Sequence, residues 1–365
     1  MPLWKCCGFA FVFIVPALMP LAAWLGARTG QPGLMAWFPL CFLFALLPIA
    51  DYAVGHDPVN PDQNLTAPLE ADAWFRVLTL LAVPAQFITL AWSMQHAASA
   101  DFSAAGMLGW LLSLGVVGGV LAINVAHELI HKDTLLERAA GGLLLTSVGY
   151  HGFKIEHVRG HHVHVSTPED ASSARYGQSL WHFLPRALVR NTANAWRLEA
   201  ARLQRLSKPW WQGNELLGWT ALWLLLALAA WSWLGWAGLL YFLAQGVIAA
   251  CSLEIINYIE HYGLERTLLA NGRYERTTHL HSWNSDYALT NLLLFHLQRH
   301  SDHHETPRRR YQALRHHADS PQLPGGYAAM FVLALVPPLW FRIVDPRLQR
   351  WRAQIVQDAN ARPAG

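Results

Sequence analysis

Nine histidines of this chain fall into four short motifs, each at or beside the end of a long apolar segment. The nine are His127, His131, His157, His161, His162, His261, His300, His303 and His304. Neutral imidazole is a strong ligand for iron, copper, nickel and zinc, and nine imidazoles exceed what one ion can coordinate. The clustering therefore predicts a site for two metal ions.

The spacing within each motif predicts which imidazoles share a metal. Side chains four residues apart lie on one face of a helix, so we expect His127 to pair with His131 and His157 to pair with His161. His162 would then reach the second ion. The last motif repeats this arrangement, and one late histidine follows the sixth apolar segment.

Acidic residues stand beside the motif histidines at Glu128, Glu156, Glu260 and Asp302. A carboxylate that accepts a hydrogen bond from a ligating imidazole fixes the ring's orientation. We expect these acids to support the histidines in that way, or one of them to bridge the ions. His281 is a further candidate for a supporting role.

The first motif by itself also matches the His-Glu-x-x-His signature of zinc proteases, in which Glu128 would act as general base. A pattern of five residues is weakly specific, and this interpretation leaves seven clustered histidines without a role. An intramembrane zinc protease therefore stays a minor alternative. Histidines outside the motifs, such as His182 and His317, are expected to be solvated.

The composition indicates a membrane protein. Hydrophobic residues make up 53% of the 365, against roughly 45–50% in soluble domains. The net charge of only +3 favours neither a nucleic acid nor an acidic macromolecule as partner. The four cysteines lie in apolar stretches without metal-site spacing, so we expect small core residues and no disulfides (Cys6, Cys7, Cys41 and Cys251).

A transmembrane helix needs roughly 20 mostly apolar residues, and six segments qualify. They are 6–26, 33–53, 75–95, 104–125, 216–234 and 236–256. A further apolar run at 325–344 contains two adjacent prolines and precedes a basic tail, which favours an interfacial or re-entrant piece. The predicted fold is an all-α membrane protein with six transmembrane helices and a histidine-rich helical cap.

The distribution of Lys and Arg predicts the orientation. Segments 127–214 and 257–324 hold eleven and eight of them, whereas 27–32, 96–103 and the turn near Gly235 hold one between them. By the positive-inside rule, the two long segments are cytoplasmic, and so are all nine histidines. The chain then divides into spans 1–4 (1–126), a cytoplasmic segment (127–214), spans 5–6 (215–256) and a cytoplasmic C-terminal region (257–365).

At these motifs the chain resembles the integral-membrane alkane 1-monooxygenases, a branch of the membrane di-iron hydroxylase and desaturase superfamily. The resemblance runs over nearly the whole length and is most specific at Asn257-Tyr-Ile-Glu-His-Tyr-Gly-Leu264 and Leu297-Gln-Arg-His-Ser-Asp-His-His304. It includes His281-Ser-Trp-Asn-Ser285 and Asn271-Gly-Arg-Tyr274. Two departures are visible: Glu305 stands where Ala is usual, and Asp286 where Asn is common.

The resemblance implies that the nine histidines hold a non-haem di-iron centre in a bacterial inner-membrane enzyme. The oxidant would be dioxygen, and electrons would come from a separate rubredoxin served by an NADH-dependent rubredoxin reductase. The implied reaction is the conversion of n-alkanes from the bilayer to 1-alkanols. A related hydroxylase or desaturase acting on an aromatic methyl group or a fatty acyl chain stays open as the alternative.

The resemblance also gives an expectation about substrate length. Alignment through Leu47-Pro48 and Asp51 places Leu43 where some relatives carry a Trp that closes the far end of the substrate tunnel. Because leucine is smaller than tryptophan, we expect a deeper tunnel that accepts medium to long n-alkanes. The simpler interpretation is that Leu43 contacts lipid.

Overall fold

The structure is a computed structural model that describes residues 2–361, and it is built of helices with three isolated β-bridges between loops. Its main helices are α1 (Leu3–Thr29), α2 (Pro32–Val54), α3 (Thr66–Ala71), α4 (Ala73–Ser99), α5 (Ala104–Ile130), α6 (Leu135–Ser147), α7 (153–164), α8 (Leu180–Arg205), α9 (Glu215–His261), α10 (Ala288–Leu293), α11 (His300–Glu305), α12 (Tyr327–Ala334) and α13 (Pro337–Ala361).

Five of these helices are long and apolar enough to cross a membrane: α1, α2, α4, α5 and α9. The first four coincide with the first four predicted spans. The predicted spans 216–234 and 236–256 are the two arms of α9, which has 47 residues. Gly235 separates the arms with a φ of 63° and a ψ of −152°, a conformation that glycine adopts without steric cost.

Large apolar side chains cover the outside of the spanning helices. Ile88 of α4 is 68% exposed and Leu225 of α9 is 61% exposed. Apolar surface of this extent suits lipid rather than water. Cys7 and Cys41 also face outwards, so the expectation that all four cysteines are core residues is wrong for these two. Because lipid is as apolar as a protein core, an apolar sequence context does not separate the two environments.

The apolar run 325–344 forms α12 and the start of α13. With eight residues, α12 is too short to cross a bilayer. It packs against α9 and α2, and Trp340 at the start of α13 is fully buried. The described residues thus place this run against the bundle. Its interfacial or re-entrant character stays a prediction.

Three helices contain one wide turn, in which a backbone N–H bonds to the carbonyl five residues earlier. The bonds run from Leu47 to Phe42 in α2, from Asn124 to Gly119 in α5 and from His162 to His157 in α7. Such π turns often occur at functional sites, because the extra residue changes the direction of the side chains that follow. All three lie along the cavity or the histidine groups described next.

Candidate metal centre

The fold brings all nine motif histidines together in two groups. The first group has five members: His127, His131, His157, His162 and His303. The second has four members: His161, His261, His300 and His304. Within each group, the ring nitrogens that could bind metal lie within 4.8 Å of one another. Four separate parts of the chain (α5, α7, α9 and α11) contribute to the groups.

In the five-histidine group the ring nitrogens are spaced like ligands of one ion. The Nε2 atom of His162 lies 3.0 Å from Nε2 of His157 and 3.2 Å from Nε2 of His303. With metal–imidazole bonds of about 2.1 Å, neighbouring ligands of an octahedral ion lie about 3.0 Å apart. The observed separations therefore fit a shared metal ion.

The four-histidine group shows the same spacing. The Nε2 atom of His304 lies 3.0 Å from that of His300 and 3.2 Å from that of His161. The Nε2 atom of His261 is 3.2 Å from that of His300. All four of these nitrogens thus converge on one point, which is what a second metal ion requires.

The predicted pairing of His157 with His161 is wrong. His157 pairs with His162, while His161 turns into the other group. The prediction assumed α-helical geometry, in which residues i and i+4 share a face. The wide turn of α7 instead brings residues i and i+5 to one face. It sends two consecutive histidines to different groups.

Buried ring nitrogens without hydrogen-bond partners also indicate that these histidines bind a ligand. His127 Nε2 and His131 Nε2 are buried and have no hydrogen-bond partner. Buried polar atoms are otherwise almost always satisfied. A metal ion between the rings would satisfy both nitrogens, so the residues present fit metal binding.

Burial keeps most of these rings in the form that binds metals. It lowers the pKa values of His131, His157, His162 and His303 well below the ordinary histidine range. A neutral imidazole has a free lone pair, whereas an imidazolium does not. The environment of the groups therefore favours coordination over protonation.

Asp170 supports the second group, and the sequence reasoning missed it. Its Oδ2 lies 3.0 Å from Nδ1 of His161 and accepts a hydrogen bond from Ser173 at 2.6 Å. Burial alone would raise the pKa of Asp170, but His161 and the hydrogen bonds lower it to about 2. An ionised carboxylate behind an imidazole holds the ring's Nε2 towards a metal. Asp170 lies in a loop outside the motifs. Only its closeness to His161 in the sequence could have suggested the contact.

The four predicted supporting acids have different surroundings. Glu260 Oε2 lies 3.2 Å from Nε2 of His300, the nitrogen that faces the second group, so this carboxylate is placed as a candidate ligand. Glu128 forms an ion pair with Lys132 at 2.8 Å and accepts a hydrogen bond from the backbone N–H of Tyr311. This pairing disfavours the protease interpretation, because a general base must reach the reacting water.

Glu156 is buried, whereas Asp302 differs from the expectation. Burial, followed by the negative charge of Asp170, raises the pKa of Glu156 to about 8. Asp302 pairs with Arg309 and lies 2.8 Å from Nε2 of His317. Asp302 thus points away from the metal groups, and it organises the surface beside α11.

His281 supports the second group through its backbone. Its carbonyl oxygen lies 3.3 Å from Nδ1 of His261, and the hydroxyl of Ser282 lies at the same distance. The His281 ring instead accepts a hydrogen bond from the backbone N–H of Thr278. The carbonyl and hydroxyl fix the orientation of His261 from the stretch that begins at His281.

Other residues of the family-specific motifs position α11. Asn284 accepts a hydrogen bond from the backbone N–H of Ser301 at 3.1 Å. Arg299 is fully buried and donates to the carbonyls of Leu314 and Asp57. These contacts join distant loops to the first turn of α11. The sequence motif therefore encodes the support of the histidines as well as the histidines themselves.

An apolar cavity reaches the first histidine group. Along α5 it is lined from Val116 to His127, and along α2 its lining includes Leu43. Val116 lies eleven residues before His127, which corresponds to about 16 Å of helix. Beside His127, the residues Asn124 and Glu260 also contribute to the wall. Such a cavity fits a long apolar ligand with one end at the metal groups.

Ion pairs order much of the basic surface beside α11. In the run Arg308 to Arg310, Arg308 is 81% exposed and lies 3.7 Å from the equally exposed Asp133. Arg309 pairs with Asp302, and Arg310 pairs with Glu137. His317 is not a solvated histidine, because it contacts Asp302. Buried acids from α11 (Asp302) and from the distant α6 (Glu137) hold these side chains, and the sequence pattern carries no signal of that.

Comparisons with known proteins agree with this arrangement. The family model for fatty acid desaturases matches residues 103–334. Alkane 1-monooxygenase 2 of Pseudomonas aeruginosa is 53% identical over 94% of this chain and 92% of the relative. Alkane 1-monooxygenase 2 of Alcanivorax borkumensis is 49% identical over 94% and 90%. The xylene/toluene monooxygenase hydroxylase component of Pseudomonas putida is 34% identical over 67% and 65%.

Proposed function

Because the chain belongs to the alkane 1-monooxygenase family, within the fatty acid desaturase superfamily, we propose that it hydroxylates the terminal methyl group of medium to long n-alkanes at a di-iron centre. The chain is a membrane protein and an alkane-hydroxylating enzyme. The metal count, the regiochemistry and the preferred substrate length are the parts that we add.

The main support is the convergence of nine histidines beside an apolar cavity. The two groups provide five and four imidazoles, enough for two ions with positions left for oxygen and substrate. We propose one iron in each group, and Glu260 as an additional oxygen ligand near His300. Bound iron would pass electrons from the redox partner to dioxygen, the oxidant for C–H hydroxylation, which redox-inert zinc cannot do.

The cavity supports attack at the chain end. A terminal methyl C–H bond is stronger than an internal methylene, so terminal selectivity has to come from positioning. The cavity wall, which includes Val116, Val120 and Leu43, would hold an extended alkane along α5 and α2. Only the end of the chain then reaches His127. The same apolar wall excludes water from the reacting end.

We propose that the active site lies on the cytoplasmic side of a bacterial inner membrane. The support is the excess of Lys and Arg in the segments that carry the histidines, 127–214 and 257–324. The division into 1–126, 127–214, 215–256 and 257–365, with two crossings in α9, belongs to the same proposal. A kink at Gly235 suits a tight turn between two antiparallel crossings.

The family implies a redox partner, and we propose rubredoxin with its NADH-dependent reductase. Rubredoxins are typically acidic, whereas exposed cations such as Arg308 line the side that carries the histidines. Electrostatic attraction speeds encounter and is screened by salt. Raising ionic strength from about 0.01 to 0.15 M is therefore expected to slow rubredoxin-limited turnover several-fold. Turnover that is insensitive to salt would contradict docking on this face.

Product analysis tests the proposed function most directly. Purified, iron-loaded protein receives NADH, rubredoxin reductase, rubredoxin and n-alkanes of graded length under ¹⁸O₂. We expect 1-alkanols that carry one ¹⁸O atom and iron close to two per chain. Internal alcohols, alkenes or a single iron would each contradict a defined part of the proposal.

The similarity to the xylene/toluene monooxygenase component keeps one alternative in view, an aromatic methyl group as substrate. Toluene and p-xylene therefore belong in the same assay. The length of the cavity along α5 favours the alkane, because an aromatic ring would leave most of it empty. Faster turnover of p-xylene than of every alkane would reverse this preference.

Asp170→Asn is expected to weaken iron binding by about 10–100-fold, the usual cost of removing a carboxylate that orients a metal-bound histidine. The amide preserves size but loses the charge beside His161. The measurement is iron retained during dialysis against a graded chelator. Glu169→Gln, which changes the neighbouring exposed carboxylate and leaves the contact between Asp170 and His161 in place, is the matched control. Equal retention in Asp170→Asn and the unaltered protein would exclude the supporting role.

A further inference from the structure

A third group of ligand-type side chains lies outside the nine-histidine centre. It comprises His279 from the loop before α10, Glu305 at the end of α11 and His317 from the loop after α11. The ligand atoms of the three residues lie within 4.8 Å of one another. Glu305 Oε2 is 2.9 Å from Nδ1 of His279 and 3.8 Å from Nε2 of His317.

Two further carboxylates complete the surroundings of this group. Asp319 Oδ2 lies 2.9 Å from Nε2 of His279, the nitrogen opposite Glu305. Asp302 Oδ1 lies 2.8 Å from Nε2 of His317. The rings of His279 and His317 stack with centroids 4.4 Å apart and planes 8° apart. Two imidazoles thus lie face to face, and three carboxylates surround them.

We propose that His279, Glu305 and His317 bind a divalent metal ion such as zinc. A carboxylate oxygen of Asp302 would be the fourth ligand. Two imidazoles and a carboxylate are a common ligand set for zinc, whereas calcium and magnesium prefer oxygen ligands alone. Asp319 would orient His279 from behind, as carboxylates do at metal-bound histidines. The site is open to solvent, because the two imidazole side chains are 22% and 23% exposed and that of Glu305 is 37% exposed.

The position of the site gives it a structural consequence. Glu305 and Asp302 belong to α11, the six-residue helix that also carries three histidines of the catalytic groups. A metal here joins α11 to the loops of His279 and His317. The metal would therefore hold the short helix in place from its solvent side. Glu305 is also one of the two residues that depart from the family pattern, so the family assignment leaves it without a role.

Zinc binding to the iron-loaded enzyme tests this proposal. The protein is purified with a tag that lacks histidine, equilibrated with Zn²⁺ and separated from free metal, and its zinc and iron are measured in the same sample. We expect one more zinc per chain in the unaltered protein than in Glu305→Gln or His279→Ala. Zinc is also expected to raise the Tm of the unaltered protein but not that of the variants.

A matched control comes from another surface pair. His164 Nδ1 lies 2.9 Å from Glu169 Oε2. Among the residues that the structure describes, this pair belongs to no group of three ligand-type side chains. Glu169→Gln should therefore keep the additional zinc that Glu305→Gln loses. Equal zinc in the unaltered protein and in Glu305→Gln, with equal iron in both, would overturn the proposal. The three side chains would then be joined by hydrogen bonds alone. Because iron content and alkane hydroxylation are measured separately, this failure would not be confused with failure of the proposed function.

Discussion

Replacing His161 or His303 with alanine is expected to abolish alkane hydroxylation while leaving the protein folded in the membrane. The loss should exceed about 100-fold, because removing even a supporting partner of a metal ligand costs about 10–100-fold. Each change opens one coordination position in a different histidine group. Turnover is measured with rubredoxin and n-octane, and iron is measured on the same preparation.

The two variants are expected to differ in the iron that they retain. His161→Ala leaves three imidazoles in its group, whereas His303→Ala leaves four. His161→Ala should therefore lose more iron, and the remaining iron should report the intact five-histidine group. The exposed His182 provides the control, and His182→Ala should keep activity and iron. Full activity in either test variant would exclude that histidine as a ligand.

The sequence predicted the features of this protein that depend on local pattern. Apolar length is enough to identify a membrane helix, and the first four predicted spans coincide with observed helices. Eight of the nine histidines could be selected because they stand in dense motifs, and the ninth, His261, because it follows the sixth apolar segment. Their assembly into two groups follows from placing those motifs at the same ends of the helices.

The features that the sequence did not predict depend on backbone irregularity or on distant contacts. Nothing in the sequence around His157 distinguishes a wide turn from an α-helical turn, and this one difference exchanged the partners of His161 and His162. Asp170 became a supporting residue only because the fold returns its loop to α7. Glu254 was missed as well, although it continues the face of α9 that carries Asn257 and His261, and it accepts hydrogen bonds from Asn191 and Tyr150.

The cavity gives the second large prediction, which concerns substrate length. Leu43 is 3% exposed and lines the apolar cavity, eleven residues before the end of α2 at Val54. Val116 of α5, which lines the same cavity, lies eleven residues before His127, about 16 Å along the helix. A bulky side chain at this depth would shorten the space for the alkane without contacting the histidines.

Leu43→Trp is therefore expected to shorten the longest alkane that the enzyme oxidises and to preserve turnover of shorter ones. Forcing an alkane against the new ring should cost about 1–3 kcal/mol, the usual cost of overpacking, which corresponds to roughly 5–150-fold in rate on the long substrates. The measurement is the ratio of 1-alkanols formed from an equimolar mixture of short and long n-alkanes, which cancels differences in expression. Leu46→Trp is the matched control, because Leu46 lies on the same wide turn of α2 but is 50% exposed on the outside of the bundle. If both variants keep the original product ratio, the wall at Leu43 does not limit the substrate, and the determinant of chain length lies elsewhere along the cavity.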